Sequence, residues 1–431
     1  HWSRNTSADT IGRMNRRSLV VVLCLAASVA VLRAQRPASP PVTAIVGATV
    51  IDGNGGNPLR EGVVLIAGER ITAVGARGVL AVPPGATVVD ATGAFLTPGF
   101  VDTNVHLSLY GGQNDRYETL VRYQSRQPEV VLEAAQIALS YGVTTVRDSY
   151  GMLTPLMAVR DRVAAGQAIG PRILAAGNIV GWNGPYSVSF SLVPSRGLTL
   201  FQEQMNDEVA QGAGEELMTM TPAELRAAIG RYLDKGPDFL KFGGTSHFAD
   251  PTYIGFSPDA QRVMVEESHR RGRYAETHAT SVEGLRLSIE AGVDGIQHPE
   301  IVDGREMPDA MVAMIRDRHI YASMLVNTIT GEAWDKAMKA RADLEKKEAG
   351  ASKAGQPARA RTTVEQRQRE NDLGIGLERR RNTAITLIKA GALVTVGTDN
   401  YWAAAAELSR VPKSPSQDHG IGTIIGIEGL V

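Results

Sequence analysis

The sequence predicts an α/β protein: a (β/α)8 TIM barrel with a small β-sandwich domain ahead of it. Three observations carry this. From residue 95 onward apolar strands alternate with helical stretches, and eight strands are counted, at 95–107, 143–148, 172–180, 238–243, 273–279, 294–298, 320–326 and 393–399. The stretches between them are punctuated as helices: Pro128, Pro155, Pro222 and Pro258 stand at first turns, and Gly142, Gly272 and Gly292 fall where helix ends need a left-handed residue. The third is chemical. Asn104, His106, Lys241, His278, His298 and Asp399 all stand toward the C-terminal ends of these strands, where a barrel gathers its chemistry. An open doubly wound sheet is the alternative, disfavoured because no Gly-rich dinucleotide turn follows the first strand.

A chain of 431 residues allows one large or two modest domains, and its 43% apolar and 21% charged residues are those of an ordinary globular protein. A net charge of -1 gives no electrostatic case for nucleic acid or an anionic membrane as partner, which leaves a small molecule. Cys24 is the only cysteine, so neither a disulfide framework nor a cysteine metal site is expected.

Residues 1–34 hold upstream sequence and an export signal. Residues 1–13 precede the first methionine; Met14 opens a segment with Arg16 and Arg17, an apolar run from Leu19 to Leu32, and Arg33-Ala34-Gln35. The run is short for a bilayer span, so no stable membrane anchor is expected. Export to a periplasm or the medium is the expectation. A Pro-rich linker occupies 35–42. Residues 43–94 read as a small all-β domain of β-branched runs, with Gly53-Asn-Gly-Gly-Asn-Pro58 as a hairpin turn; no Lys-Ser/Thr follows that would make it a phosphate loop.

The strand Thr97-Pro-Gly-Phe-Val-Asp-Thr-Asn-Val-His106 opens on a Pro-Gly turn. Side chains two apart on a strand point the same way, so Asn104 and His106 aim at one spot at its end. One histidine there is ordinarily structural, but the pattern recurs at Lys241, His278, His298 and Asp399. Imidazoles with a carboxylate at one barrel mouth make a ligand set for a divalent metal, zinc or a neighbour such as manganese. Lys241 lies between Leu240 and Phe242, and desolvation there favours its neutral amine, the form that reacts with carbon dioxide to give a carbamate. The competing reading keeps His278 and His298 as core histidines and pairs Lys241 with a carboxylate.

These segments resemble the metal-dependent amidohydrolase superfamily, in its imidazolonepropionase-like and prolidase-like branch. Pro98-Gly-Phe-Val-Asp-Thr-Asn-Val-His106 is similar to that family's first-strand signature, Pro-Gly, two hydrophobic residues, then Asp-X-His-X-His. Phe239-Leu-Lys-Phe-Gly-Gly244 resembles its carbamylated-lysine strand, Glu276-Thr-His278 and Ile296-Gln-His298 its fifth and sixth strands, and Val396-Gly-Thr-Asp399 its eighth. Gly142-Val-Thr-Thr-Val-Arg-Asp148 is similar to its second. The resemblance covers roughly 43–431. It implies one or two divalent ions, foremost Zn2+, held by His106, carbamylated Lys241, His278, His298 and Asp399. It also implies that 43–94 is half of a β-sandwich, with the last barrel helix and the closing strands lying past residue 431.

One departure falls at the site. The first histidine of the strand-1 pair is Asn104, whose amide oxygen is a weaker ligand than imidazole. The resemblance then implies one ion held by Lys241, His278 and His298, with Asn104 a weak donor. His247 remains open as substitute ligand, substrate contact or plain loop residue. The implied activity is hydrolysis of a small amide, dipeptide or cyclic amide by a metal-activated water. Asp399 moves the proton, and His278 or His298 polarises the carbonyl. Tyr110, Trp182, Asn183, Tyr186 and His247 lie in loops that either shape the pocket or pack. The other class of reading is a non-catalytic ligand-binding barrel that has partly lost its metal site. The insertion 335–381, rich in Lys, Arg, Glu and Ala, reads as solvent-facing helices, with a lid or a homo-oligomer contact as alternatives.

Overall fold

The computed structural model describes residues 40–108, 121–191, 196–247, 252–353, 362–400 and 415–430. It divides into two units, on either side of the Pro98–Gly99 bond. Among the described residues no helix is long and apolar enough to cross a membrane.

In the first unit the β-branched runs form a five-stranded sheet of β1 (Val42–Val50), β2 (Leu59–Ala67), β3 (Arg70–Ala76), β4 (Thr87–Asp90) and β5 (Phe95–Leu96). The order is β3-β2-β1-β4, with β5 beside β1. β1 to β3 pair antiparallel, whereas β4 and β5 run parallel to β1. Ala44, Val63 and Leu65 form its buried centre. The Gly53–Pro58 cluster is a turn, in which Asn54 N donates to Asp52 Oδ1 at 2.9 Å.

β5 corrects one expectation. The sequence reads 95–107 as a single strand; instead Phe95–Leu96 pairs with Thr49–Val50, and the first strand of the second unit starts at Phe100. The cause is the Pro-Gly turn. Pro98 has no N–H to continue a ladder, and Gly99 lies so close to Thr144 that a Cβ would meet its hydroxyl at 2.1 Å.

The second unit alternates strand and helix. Its strands are β6 (Phe100–Val105), β7 (Val143–Asp148), β8 (Arg172–Ala175), β9 (Ile179–Val180), β10 (Leu240–Gly243), β11 (Ala275–His278), β12 (Gly295–Gln297), β13 (Tyr321–Met324) and β14 (Val394–Val396). All pair parallel, as β6-β7-β8 and as a six-stranded sheet from β9 to β14. The helices are α1 (Gln127–Ser140), α2 (Leu153–Ala164), α3 (Val188–Ser191), α4 (Leu200–Ala210), α5 (Pro222–Asp234), α6 (Pro258–Arg270), α7 (Val282–Ala291), α8 (Asp309–Asp317), α9 (Gly331–Lys353), α10 (Thr363–Asp372), α11 (Ile375–Lys389) and α12 (Ile421–Leu430). Local chemistry starts several of them. Thr221 and Glu224 form a capping box around Pro222, and Ser257 caps Pro258. The strands then bury Leu240, Phe242, Ile296 and Met324 against helix residues such as Ile229, Met264, Leu285 and Ile315.

The predicted strand 172–180 is broken. Gly177 takes a left-handed φ of 76° there, and a Cβ would come within 2.4 Å of the Tyr232 hydroxyl. Asn178 ties the break down by donating from Nδ2 to Trp182 O at 2.7 Å and Ala213 O at 3.0 Å. In the insertion the charges pair with one another: Arg341 with Glu345 at 3.1 Å and Glu378 at 2.7 Å, and Arg369 with Glu348 at 2.8 Å.

Backbone bonds also join the last strand to the first. Asp399 N donates to Asn104 O at 2.7 Å, His106 N donates to Asn400 O at 2.8 Å, and Val105 bridges Asn400 in parallel. Asp102 locks this seam from beneath. Its Oδ1 accepts from Asn104 N and Thr398 N, both at 3.1 Å, and its Oδ2 from Thr398 Oγ1 at 2.8 Å and Thr423 Oγ1 at 2.7 Å. Burial pushes the Asp102 carboxyl up to about 6, against the hydrogen bonds that lower it. That lies above the roughly 3.9 of an unfolded aspartate, so the stability it confers is full below about pH 4 and is lost as pH rises through 6. Relative to Asp102→Asn, the wild type should therefore be most favoured at pH 4 and lose that advantage by pH 7. Urea melts at both pH values check this, and the opposite slope would refute it.

Candidate active site

The ends of β6, β7, β10, β11 and β12 and the segment after β14 bring Asn104, His106, Ser149, Lys241, His278, His298 and Asp399 into two half-sites. In the first, Asp399 Oδ1 meets His106 Nε2 at 2.9 Å and accepts Asn104 Nδ2 at 3.1 Å. Both neighbours from strand 1 thus reach one carboxylate oxygen, as their alternation requires. His106 Nδ1 bonds to Tyr150 O at 3.0 Å. A carbonyl only accepts, so Nδ1 carries hydrogen, and a hydrogen bond from Nε2 to the Asp399 oxygen needs a second ring proton. Burial lowers His106, with Asp399 opposing. Burial also resists ionisation of Asp399, but the hydrogen bond and charge of His106, with His298 and Lys241, outweigh it and hold the carboxyl well below its usual range.

In the second half-site His278 Nδ1 and His298 Nε2 lie 2.9 Å apart. Burial drives His278 well below the usual imidazole range and His298 down to about 4, so both are neutral at pH 7. Their other ring nitrogens, His278 Nε2 and His298 Nδ1, are buried without a hydrogen-bond partner among the described residues. Lys241 is almost wholly buried, donates to Ser149 Oγ at 3.1 Å, and is pushed down by burial to about 8. Ser149 in turn donates to Asn104 Oδ1, which connects the two half-sites.

Two of these residues hold strained backbone. His298 has φ 41° and Asp399 φ 56°, the left-handed region that costs a non-glycine residue about 1–2 kcal/mol. His298 follows directly on β12 and Asp399 lies three residues past β14, and each is held by a backbone bond, His298 N to Ser323 O and Asp399 N to Asn104 O, at 2.7 Å in both cases.

The remaining predicted residues fall differently. Trp182 packs edge-on against His278, with ring centroids 4.7 Å apart, and donates from its indole to Thr245 O at 3.2 Å. His247 stacks on Phe190 at 4.7 Å and tilts toward Trp182 at 5.3 Å and His278 at 5.5 Å; burial pushes it down to about 3. Tyr186 is buried in the same aromatic group but is tied by its backbone to Asn206. Asn183 accepts Glu215 N at 3.2 Å. Tyr110 lies outside the described residues. Sequence reasoning missed Ser149, Tyr150 and Phe190. It also missed His419, buried with both ring nitrogens lacking a partner and close enough to His106 to be influenced by its charge. The only sequence signal for Ser149 and Tyr150 is that they follow the second strand.

The donor set meets part of what a divalent ion requires. Two nitrogens bound to one tetrahedral ion stand about 3.3 Å apart, close to the spacing of His278 and His298. A cation would also suit the contact between His106 Nε2 and the Asp399 oxygen. Among the described residues, however, no three His, Cys, Asp or Glu side chains gather into a ready ligand set. The imidazole pair fits a metal once one further anionic donor is supplied, and Lys241 is the adjoining side chain that could acquire one.

Beneath this layer lies a second polar one. Arg147 pairs with the fully buried Glu276, stacks its guanidinium 4.1 Å over the Phe239 ring, and donates to the Tyr321 hydroxyl at 3.2 Å. Gln297 also donates to Glu276. Glu276 and Gln297 stand two and one residues before His278 and His298. A cavity of about 550 Å³ opens at the opposite ends of the strands, around Tyr274, Asp294, Tyr321 and Leu393, and neither His278 nor His298 lines it.

Known proteins resemble this chain over most of its length. The model of the amidohydrolase family matches residues 95–413. Ochratoxinase of Aspergillus niger is 25% identical over 332 residues, which cover 73% of this chain and 67% of that protein. Among solved structures, phenylurea hydrolase B superposes with a TM-score of 0.71 at 31% identity, covering 85% of this chain and 76% of that one. Molinate hydrolase gives 0.70 at 31%, covering 84% and 74%. Imidazolonepropionase of Stenotrophomonas maltophilia also matches, 29% identical over 272 residues, with 59% of this chain and 61% of that protein covered. These neighbours imply a TIM barrel with a sandwich domain.

The lower polar layer makes a direct prediction. Arg147→Ala strands the Glu276 carboxylate in the interior and should lower the unfolding free energy by about 3–5 kcal/mol, the cost of breaking a buried pair. Adding Glu276→Gln should recover part of that loss in urea denaturation. No recovery would show that the guanidinium's packing on Phe239, not the charge, is what the fold needs.

Proposed function

Since this chain belongs to the amidohydrolase family and is a hydrolase, we propose that it cleaves the carbon–nitrogen bond of a small amide, dipeptide or cyclic amide at the cluster around Asp399 and the His278–His298 pair. One observation carries the reading: a pair of neutral, buried imidazoles 2.9 Å apart stands at the same strand ends as a hydrogen-bonded line from Lys241 through Ser149 and Asn104 to an ionised carboxylate. The bonds between the segment after β14 and β6 support closure of the strands into one (β/α)8 barrel, with β8 and β9 as a single interrupted strand.

Lys241 as its carbamate, His278 and His298 would hold a divalent ion, for which Zn2+ suits nitrogen and carboxylate-like donors; His106 and Asp399 stand on the other side and Asn104 contributes weakly. Bound there, the ion supplies Lewis acidity and makes water acidic enough to ionise near pH 7. Asp399 does the proton work. Its Oδ1 is occupied by Asn104 and His106, while Oδ2 belongs to a side chain still 32% exposed and is left to take a proton from water and return it to the leaving nitrogen. His298 or His278, neutral and adjacent, orients the substrate carbonyl. Trp182, His247 and Tyr186 shape the apolar side of the pocket, a role first expected of Tyr110 as well. The ochratoxinase, phenylurea hydrolase and molinate hydrolase likenesses support a small organic substrate for this chain. The charged-then-apolar segment from Met14 supports export as part of the same reading.

Metal analysis tests the site. The purified, zinc-supplemented protein should hold about one tight ion per chain, or two of very unequal affinity, because Asn104 replaces an imidazole. Asn104→His should raise the metal content. Two equivalent tight ions in the wild type would show that Asn104 does not weaken its side. Lys241→Ala should lose both tight metal and turnover, and short carboxylic acids should restore some of each by standing in for the carbamate. Full activity of Lys241→Ala without them would end the proposal.

A further inference from the structure

The end of β7 holds three groups of the site at once. Asp148 Oδ2 accepts Leu107 N at 2.6 Å, and Tyr150 O takes the Nδ1 hydrogen of His106 at 3.0 Å. Between them stands Ser149, fully buried, whose hydroxyl bonds twice: it receives Lys241 Nζ at 3.1 Å and donates to Asn104 Oδ1. A serine hydroxyl has one proton to give. The Asn104 oxygen takes that proton, since Asn104 has turned its Nδ2 toward Asp399. Toward Lys241 the hydroxyl therefore shows lone pairs alone.

That direction fixes the lysine. An ammonium carries three donors and an amine two, and buried donors without acceptors are costly. Among the described residues Ser149 is the hydrogen-bond acceptor that Lys241 finds, which leaves one donor of the amine unmet and two of the cation. One N–H is spent on Ser149, which leaves the nitrogen lone pair and the second hydrogen turned away from it.

We propose that Ser149 is a positioning residue: its hydroxyl, locked by Asn104, holds the Lys241 amine in one orientation for reaction with carbon dioxide and keeps the Asn104 oxygen engaged, so that it is at most a weak donor to metal. The inference rests on the carbamate reading of the proposed function. In the step, the Nζ lone pair forms the N–C bond, one C=O electron pair moves onto oxygen, and one Nζ proton leaves to solvent. The N–H that remains is the one Ser149 accepts, so that bond persists through the reaction.

Titration of the zinc-loaded protein with carbon-13-labelled bicarbonate tests this, through the carbamate resonance that disappears in Lys241→Ala. Ser149→Ala should need about tenfold more bicarbonate to reach half its carbamate signal, the effect of losing one hydrogen bond, and should recover the full signal at saturation. Asn104→Ala keeps the hydroxyl but unlocks it, and should shift in the same direction by less. An identical bicarbonate dependence in all three proteins overturns the role of Ser149 and leaves the carbamate standing. A wild type without the resonance overturns the carbamate and this role together. Signal lost from a Ser149→Ala protein with wild-type melting, and not restored by bicarbonate, overturns it too, since orientation alone yields to mass action. Should Ser149→Ala fail to fold, Asn104→Ala carries the test, and an unchanged half-saturation there overturns the proposal.

Discussion

The site depends on one constraint: polar side chains aimed into a largely buried interior gain by satisfying one another. An unmet hydrogen-bonding group there costs about 1–3 kcal/mol. The solution is a single line of hydrogen bonds, from Lys241 through Ser149, Asn104 and Asp399 to His106 and the Tyr150 carbonyl. It crosses from β10 to β7 to β6 and on to the segment after β14. Because each link needs its two strands in one register, the line ties the chemistry to the strand pairing. Asp102 performs the same service a layer below for Thr398, Thr423 and Asn104, so the seam between β6 and the last strand is fixed twice.

The backbone bears part of the cost. His298 and Asp399 sit in left-handed conformations that few residues other than glycine occupy, and such strain persists only where surroundings over-determine it. Here they do. Each residue is pinned by a short backbone bond to a neighbouring strand, and each side chain is bonded besides. A strand that simply continued past Gln297 or Val396 would carry these side chains along its own direction. The left-handed kink turns them instead toward His278 and His106.

Much of this was legible in the sequence. The second strand, 143–148, agrees with β7 to the residue, and the helix starts at Pro222 and Pro258 were marked by their prolines and caps. The strand-end residues Asn104, His106, Lys241, His278, His298 and Asp399 come together because side-chain period and strand direction are local properties. What stayed hidden is cross-strand. That Phe95–Leu96 joins the other sheet depends on which edge was free, and the break at 176–178 depends on how close Tyr232 comes to Gly177. Ser149 is an ordinary residue one position past a strand, and only register shows it between a lysine 92 residues away and an asparagine 45 away. Phe190 and His247 stack across a similar distance in sequence, so their pairing was equally invisible.

Asn104 shows how a reading by ligand type can mislead. Counted as a ligand, it is a weakened histidine. Counted as a hydrogen-bonding group, an amide both donates and accepts at one end of the side chain, and here both functions are used, Nδ2 toward Asp399 and Oδ1 toward Ser149. A neutral imidazole could serve both neighbours only as one tautomer, and ligation of a metal would take up the nitrogen that one of them needs. The amide therefore joins the two half-sites without competing for a cation. On the proposed reading, the metal is left to the imidazole pair and Lys241, and Asp399 keeps an oxygen free for the proton. The departure from the family pattern at position 104 is then what separates metal holding from proton transfer.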